Sequence, residues 1–426
     1  MKRRHHCSPD RASARAQYQS YEPSAALSEI GVEAEAWALT TEPGNRLLAE
    51  VAAVQPIGPS DLARFRKQAS PIQVSAAIRL VQARNKAALK FENGHQMWVE
   101  PTAVEQATAE PVARHKAERF MCPLVVDLCA GIGGDALALA ARCDVLAVDA
   151  DQGMCRRLSY NASVYKVLDR VLSVRARAET FAIPIGAWLH LDPDRRASGD
   201  KRARSLDDYA PAPEFWKSAM RRVAAGAIKL GPASDFANHF AGPEYEVELI
   251  SLRGECKEAT VWFGELASCH RRATVLPENV SWTDRDGPTG QWTPVVQLGT
   301  FIFDPDPALL RAGLLDGFAV EHGLARIADG VDYLTGERLI TTPFLSAFGV
   351  LDVLPLDLKK LRRLIAANRI GTLEIKVRGA NVAPETLRRQ LQLDGERAAT
   401  LLVFGGSGPV RAVLAQRVAR SPSHSA

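Results

Sequence analysis

Residues 124–149 leave the surrounding fold little freedom. LVVDL reads as a short apolar strand closing on Asp127, CAGIGG as a glycine turn, DALALAARC as a helix, and DVLAVD as a second strand ending on Asp149. Gly131, Gly133 and Ala136 satisfy a G-x-G-x-x-G/A spacing, and Asp149 follows Gly131 by 18 residues. Glycine is needed where the chain turns sharply and a ligand must touch backbone. An acid ending the second strand can accept both hydroxyls of a ribose, so a dinucleotide-dependent oxidoreductase is one reading of the pattern.

The alternation continues downstream. QGMCRRLSYNASVYKV predicts a helix, RVLSVRA (170–176) a third strand, and AWLHLD (187–192) a fourth that runs into PDRR. A long helix is expected within EFWKSAMRRVAAGAIKL, followed by the strand YEVELISL. ATVWFGEL and RRATVLP are joined by a loop too short for a crossover helix, so they are expected to pair antiparallel. This spacing implies an α/β fold, a parallel doubly wound sheet with an antiparallel terminal strand pair.

On either side the texture differs. Residues 1–28 read as a disordered tail, and 29–118 as a helical N-terminal domain, with apolar residues three and four apart in RLLAEVAAV, DLARFRKQA and PIQVSAAIRLVQARNKAALKF. The sheet domain is expected over 119–303 and a connecting helical segment over 304–343, where Asp306 can cap a helix starting at Pro307. Strand, helix, strand, helix, strand and strand then form a small α/β domain over 344–420.

Hydrophobic residues make up 46% and charged residues 24%, enough apolar content to exclude a chain without a core. No run approaches the ~18 apolar residues of a membrane helix. No apolar stretch follows the basic start MKRRHHCSPD, so neither a membrane partner nor a secretory signal is expected. Seven scattered cysteines without a CxxC pair argue against disulfides or a zinc ribbon and for the cytoplasm. From Leu356 to Ala426 thirteen Lys and Arg stand against five Asp and Glu, a net of +8, in a chain whose total is +4. A basic module on a slightly acidic body fits a polyanionic partner.

Two features favour S-adenosylmethionine over a dinucleotide. Asp127 would repel a pyrophosphate but can hold the cationic end of a sulfonium amino acid. The antiparallel strands ending the sheet are also foreign to a dinucleotide fold. VVDLCAGIGGDALALA and VLAVDAD resemble motifs I and II of class I S-adenosylmethionine-dependent methyltransferases, with their Rossmann-like sheet. The stretch through NASVYKVLDRV resembles the trimethylguanosine synthase branch, and HLDPDRR stands where that superfamily carries motif IV, D/N-P-P-Y/F or D-P-x-R. From about 30 to 420 the chain is similar to a bacterial family with a helical N-terminal part, this methyltransferase domain and a C-terminal THUMP-like domain. EQATAEPVARHKAERF, ISLRGECKEATVWFGEL, DPDPALLRAGLL and GTLEIKVRGANVAPETLRRQL carry that likeness further.

The resemblance implies that Asp127, Ala130, Gly131 and Gly133 line the methionine end of the cofactor. Asp149, with Ala150 beside it, would take the ribose, and Glu179 the adenine. Gln106 and Thr108, in EQAT, would close over it. In motif IV, Asp192 and the carbonyl of Pro193 can accept the N–H groups of an exocyclic amine and aim its lone pair at the methyl group. Asp194 and Arg195 replace the second proline and the stacking aromatic of D-P-P-Y, so Arg195 and Arg196 could instead clamp a phosphate. Lys376 and Arg378 are the expected phosphate contacts of the basic module.

The expected activity is methylation of a base in RNA (rRNA or tRNA), gripped by the THUMP-like domain. A DNA, protein or small-molecule substrate, or a non-catalytic RNA-binding protein with a cofactor pocket, are the alternatives. Three other features read as structural: Asp304–Asp306 as a helix cap, Cys256 as an inert thiol, and His5, His6 and Cys7 as solvated residues rather than a metal site.

Overall fold

The computed structural model describes residues 25–54, 56–195, 205–236, 239–288, 297–406 and 408–419. The chain forms two units, one of Met1–Ala117 with Cys129–Phe181, the other of Glu118–Leu128 with Ala182–Ala426. The first unit is mainly helical, and its helices start where the sequence supplies caps. Thr41 Oγ1 accepts from Gly44 N at 3.1 Å to open Glu42–Ala53. Ser70 and Gln73 form a reciprocal capping box ahead of Pro71–Ala87, the latter side chain accepting from Ser70 N at 3.0 Å. Helical spacing then buries Val74, Ala77, Leu80 and Val81 from one helix and Leu47, Leu48 and Val51 from the other.

β1 (Leu124–Leu128) belongs to the second unit, whereas β2 (Asp144–Asp149) and β3 (Val171–Arg175) pair in parallel within the first, Asp149 opposite Arg175. The helix Gln152–Val164 packs against both strands of that pair. The second unit adds β4 (Trp188–Leu191), β5 (Ala225–Leu230), β6 (Tyr245–Leu252), β7 (Glu255–Gly264), β8 (Arg271–Leu276) and β9 (Val280–Thr283). Within that unit their order is β1-β4-β5-β7-β6-β8-β9. β1, β4 and β5 run parallel, and β7 lies antiparallel between β5 and β6.

Two expectations are corrected here. The helix in EFWKSAMRRVAAGAIKL covers only Pro213–Met220, and GAIKL is part of β5, with every residue but Lys229 buried. ATVWFGEL (in β7) and RRATVLP (in β8) do not pair with each other, because β6 lies between them, antiparallel to β7 and parallel to β8. The hairpin is β6–β7, turned through Arg253 and Gly254, whose φ angles of 55° and 80° are those a two-residue hairpin loop requires.

A second sheet closes the chain: β10 (Phe301–Pro305), β11 (Ala325–Arg326), β12 (Leu334–Gly336), β13 (Leu345–Pro355), β14 (Ile370–Arg378), β15 (Arg397–Phe404) and β16 (Arg411–Arg417). Its order is β11-β12-β10-β13-β16-β15-β14, with only β14 and β15 parallel. The segment 304–343, expected to be a helical connection, contains Pro307–Arg311 and Leu315–Glu321 but also β11 and β12, and β10 begins this sheet at residue 301. Helices Leu358–Ala367 and Pro384–Gln390 pack on one face through Leu361, Ile365 and Leu387, against Leu373, Ile375, Leu401 and Val403. Among the described residues no helix is long and apolar enough to cross a membrane, and no cluster of three or more His, Cys, Asp or Glu could hold a metal. The tail to residue 24, with His5, His6 and Cys7, lies outside the described residues.

Candidate active site

In the first unit the glycine turn is left-handed at three positions, Cys129, Gly131 and Gly133, with φ of 63°, 54° and 95°. The two glycines do different work. A Cβ on Gly131 would meet no atom within 4 Å, so that face of the backbone is open to a ligand. A Cβ on Gly133 would sit 3.2 Å from Leu158 Cγ and 3.3 Å from Leu137 Cγ, so this glycine lets the turn pack on its helices. Gly131 N donates to Asp149 Oδ2 at 2.9 Å, and Asp151 N donates to Oδ1 at 2.9 Å. That orients a half-buried carboxylate beside the open backbone, as a ribose acceptor requires. Ala130 is buried and Ala150 exposed; Glu179 is exposed in a 3-10 turn after β3, 3.3 Å from Arg177.

EQAT ends the helix Pro101–Gln106, where Lys90 Nζ donates to the carbonyls of Val104, Glu105 and Ala107 at 2.8, 2.9 and 3.0 Å. Thr108 is buried, and its Oγ1 donates to Asp135 Oδ2 at 2.6 Å, while Lys116 Nζ pairs with Asp135 Oδ1 at 2.7 Å. A Cβ on Gly134 would come within 3.1 Å of Thr108 N. EQAT is therefore brought to the glycine turn, with Thr108 bracing it and Gln106 half-exposed. Asn161, which sequence reasoning missed, is fully buried; it accepts from Trp98 N at 2.7 Å and donates to Trp98 O at 3.1 Å and Ile132 O at 3.0 Å. It pins the carbonyl in the middle of G-I-G, and its signal was an amide on the apolar stripe of a helix.

In the second unit, the parallel register of β1 and β4 sets Asp127 opposite His190. Both are 1% exposed, and Asp127 Oδ1 lies 2.6 Å from His190 Nδ1. Oδ2 of Asp127 is buried without a hydrogen-bond partner among the described residues. An unpaired buried carboxylate oxygen is costly, and a cationic N–H ligand is what would satisfy it. His190 was also missed, although an ionisable residue inside the apolar strand WLHL is a visible anomaly.

Motif IV leaves β4 where Asp192 N donates to Leu128 O at 3.1 Å. Lys229 on β5 reaches Asp192, Nζ to Oδ2 2.7 Å, with only 12% of its side chain exposed. Pro193 is buried, and Asp194 exchanges both backbone hydrogen bonds with Ala210, at 2.8 and 2.9 Å. Lys229 has no local sequence signal, because GAIKL is a short apolar run that fits a helix as well as the strand it forms. Arg195 is half-buried; a Cβ on Gly231 would lie 3.3 Å from its Nη1 and 3.0 Å from Tyr209 Oη. Tyr209 is itself buried, edge-on to Trp216 at 5.8 Å, so it offers no stacking face in place of the absent aromatic. Arg196 lies outside the described residues.

The expected phosphate contacts Lys376 and Arg378 point elsewhere. Lys376 Nζ donates to Asp304 Oδ2 at 2.8 Å, and Arg378 Nη2 and Nε donate to Asp304 Oδ1 at 2.7 and 3.0 Å. Asp304 is nearly buried, so a carboxylate already holds both cations. Asp306 does cap Pro307–Arg311, accepting from Ala308 N at 2.8 Å. Burial pushes the Cys256 thiol up to about 12, which keeps it protonated and inert.

A parallel sheet with an antiparallel strand inserted before its end, a glycine turn after β1 and an acidic tetrapeptide after β4 together define a Rossmann-like class I methyltransferase. Residues 122–198 match the family described as RNA cap guanine-N2 methyltransferase, and 345–417 the family described as THUMP domain-like. Two uncharacterised S-adenosylmethionine-dependent methyltransferases of Mycobacterium tuberculosis, from strains CDC 1551 and H37Rv, are each 33% identical over 353 residues, 80% of this chain and 94% of theirs. The chain belongs to this family of S-adenosylmethionine-dependent methyltransferases, and S-adenosylmethionine is its cofactor. A candidate methyltransferase structure from Porphyromonas gingivalis W83 shares the fold, with a TM-score of 0.67 at 16% identity over 93% of this chain and 99% of that one.

Proposed function

We propose that the enzyme methylates an exocyclic amine of a base in RNA, in the cytoplasm, with rRNA or tRNA as substrate and the trimethylguanosine synthase-like branch as its nearest chemistry. The guanine N2 named in the description of the family matching 122–198 is the amine we favour. The observation that carries this reading is the Asp192–Lys229 pair where motif IV leaves β4.

S-adenosylmethionine supplies the methyl group on a sulfonium, whose neutral thioether leaves without acid assistance. The protein's task is to hold an amine lone pair about 3 Å from that methyl carbon. Lys229 Nζ, 2.7 Å from Oδ2, fixes the direction of the Asp192 carboxylate. A carboxylate has about four lone-pair sites, so one lysine does not exhaust its capacity to accept an amine N–H. The carbonyl of Pro193 is the second acceptor. Once the amine has taken the methyl group and the bonding pair has stayed with sulfur, Asp192 or water would take the extra proton on nitrogen. Asp127 favours the cationic amine of the cofactor, Asp149 its ribose and Glu179 its adenine, with Ala130, Gly131, Gly133, Ala150 and Gln106 lining it. Arg195 and Arg196 serve as phosphate contacts.

The test is incubation of the protein with tritiated S-adenosylmethionine and RNA from a strain lacking its gene. Label should enter RNA with the wild type and fall at least about 10²-fold in Asp192→Ala, with cofactor affinity retained. Nuclease digestion would then name the nucleotide. Absence of RNA label from a protein that binds its cofactor would overturn the proposal.

A further inference from the structure

We infer that the phosphate-gripping surface is the outer face of helices Leu358–Ala367 and Pro384–Gln390, and that Lys376 and Arg378 are not part of it. This rests on the RNA reading above and locates the grip. The two helices lie side by side on one face of the second sheet, and Arg362 Nε donates to Gln390 O at 2.9 Å across them. With Leu361 and Ile365 turned to the core, helical spacing sends Lys359, Lys360, Arg362 and Arg363 outward. Arg388 and Arg389 do the same in the last turn of the second helix, and all six cations are exposed.

What sets these six apart from Lys376, Arg378 and Arg417 is their company. Asp357 and Glu385 are the acids on the two helices and their caps, and Asp357 is engaged in capping, accepting from Lys360 N at 2.9 Å. None of the six makes an ion pair with a carboxylate among the described residues. Lys376 and Arg378 are held by Asp304, and Arg417 by Glu374 at 2.8 Å. A paired cation must leave its carboxylate to meet a phosphate, whereas an unpaired exposed one only releases counterions, which is itself the driving force. The face therefore suits a dense line of phosphates. With no aromatic among the exposed residues of the two helices it has nothing to stack bases on, so it grips backbone without reading sequence.

The experiment uses the full chain and direct binding to bulk tRNA, which does not depend on turnover. Arg362→Gln, Arg363→Gln, Arg388→Gln and Arg389→Gln are combined, and affinity is measured across a salt series. The log–log slope should flatten by roughly 2–4, at about 0.7–0.9 per lost phosphate contact. The thermal midpoint and cofactor affinity should change little, because all four side chains are exposed and the Arg362–Gln390 hydrogen bond lost with them is at the surface. Lys376→Gln should keep the wild-type slope. An unchanged slope in the quadruple variant, or a flattened one in Lys376→Gln, would overturn the placement even where the enzyme methylates RNA. Tighter wild-type binding to duplex DNA of matched charge would overturn RNA as the occupant.

Discussion

At the scale of single residues, the site depends on pairs. Asp192 is the proposed amine acceptor, and it is held by Lys229, a lysine on a strand whose other residues are all buried. A largely shielded cation on a carboxylate fixes its direction, and loss of that hold weakens aim at the methyl group. Lys229→Met should lower kcat about 10²-fold while cofactor affinity by calorimetry changes little, and Lys229→Arg should recover part of the loss. Equal kcat in Lys229→Met would leave the pair a structural bond. Asn161 shows the same logic in the first unit, because its amide serves three backbone groups that no apolar replacement could satisfy.

At the scale of elements, a buried charge network links β6 to β8. Glu246 is fully buried, and Arg119 Nη1 and Arg272 Nε reach its Oε1 at 2.6 and 2.7 Å. Burial works to raise this carboxyl, but hydrogen bonds and charge from Arg119 and Arg272 outweigh it and hold it below the ordinary range. A depressed folded value stabilises the protein above the unfolded value, about 4.3, and the benefit is lost as pH falls through the folded one. Glu246→Gln should therefore lower the urea midpoint at pH 7, with the gap to wild type narrowing towards pH 3. Elements of this kind were unevenly legible. The glycine turn, β1 to β4 and the C-terminal strand–helix alternation were readable because local spacing determines them. The β6–β7 hairpin was not, although Arg253–Gly254 marks a two-residue turn, because loop length alone suggested the wrong neighbour. GAIKL misled because a short apolar run fits helix and strand alike. Asp127, Asp149 and Asp192 could be read from motif position, but His190 and Lys229 enter only through cross-strand neighbours, which no local pattern reveals.

At the scale of the molecule, the +8 of the C-terminal region was plain in the sequence, but which cations it leaves unpaired depends on Asp304, more than 70 residues away from both partners in the chain. That aspartate belongs to β10, which pairs with β13, Phe301 opposite Gly349. A chain ending at residue 343 should thus keep β10 paired with β12 but without β13, exposing an apolar edge. We expect it to be insoluble or to melt at least 10 °C below the full chain (roughly 3–5 kcal/mol or more), as read by scanning calorimetry; a soluble fragment of wild-type stability would mark the C-terminal sheet as self-sufficient. The parallel pairing of β1 with β4 also bears on biosynthesis. Leu128 leaves the ribosome about 60 residues before Trp188, which at about 5–20 residues per second is a delay of roughly 3–12 s. Through that interval Val125, Val126 and Leu128, fully buried in the finished protein, must wait for β4. The nascent chain thus carries a strand with these three apolar side chains and an open β4-side edge for seconds, and this is where a ribosome-bound chaperone would have most to shield.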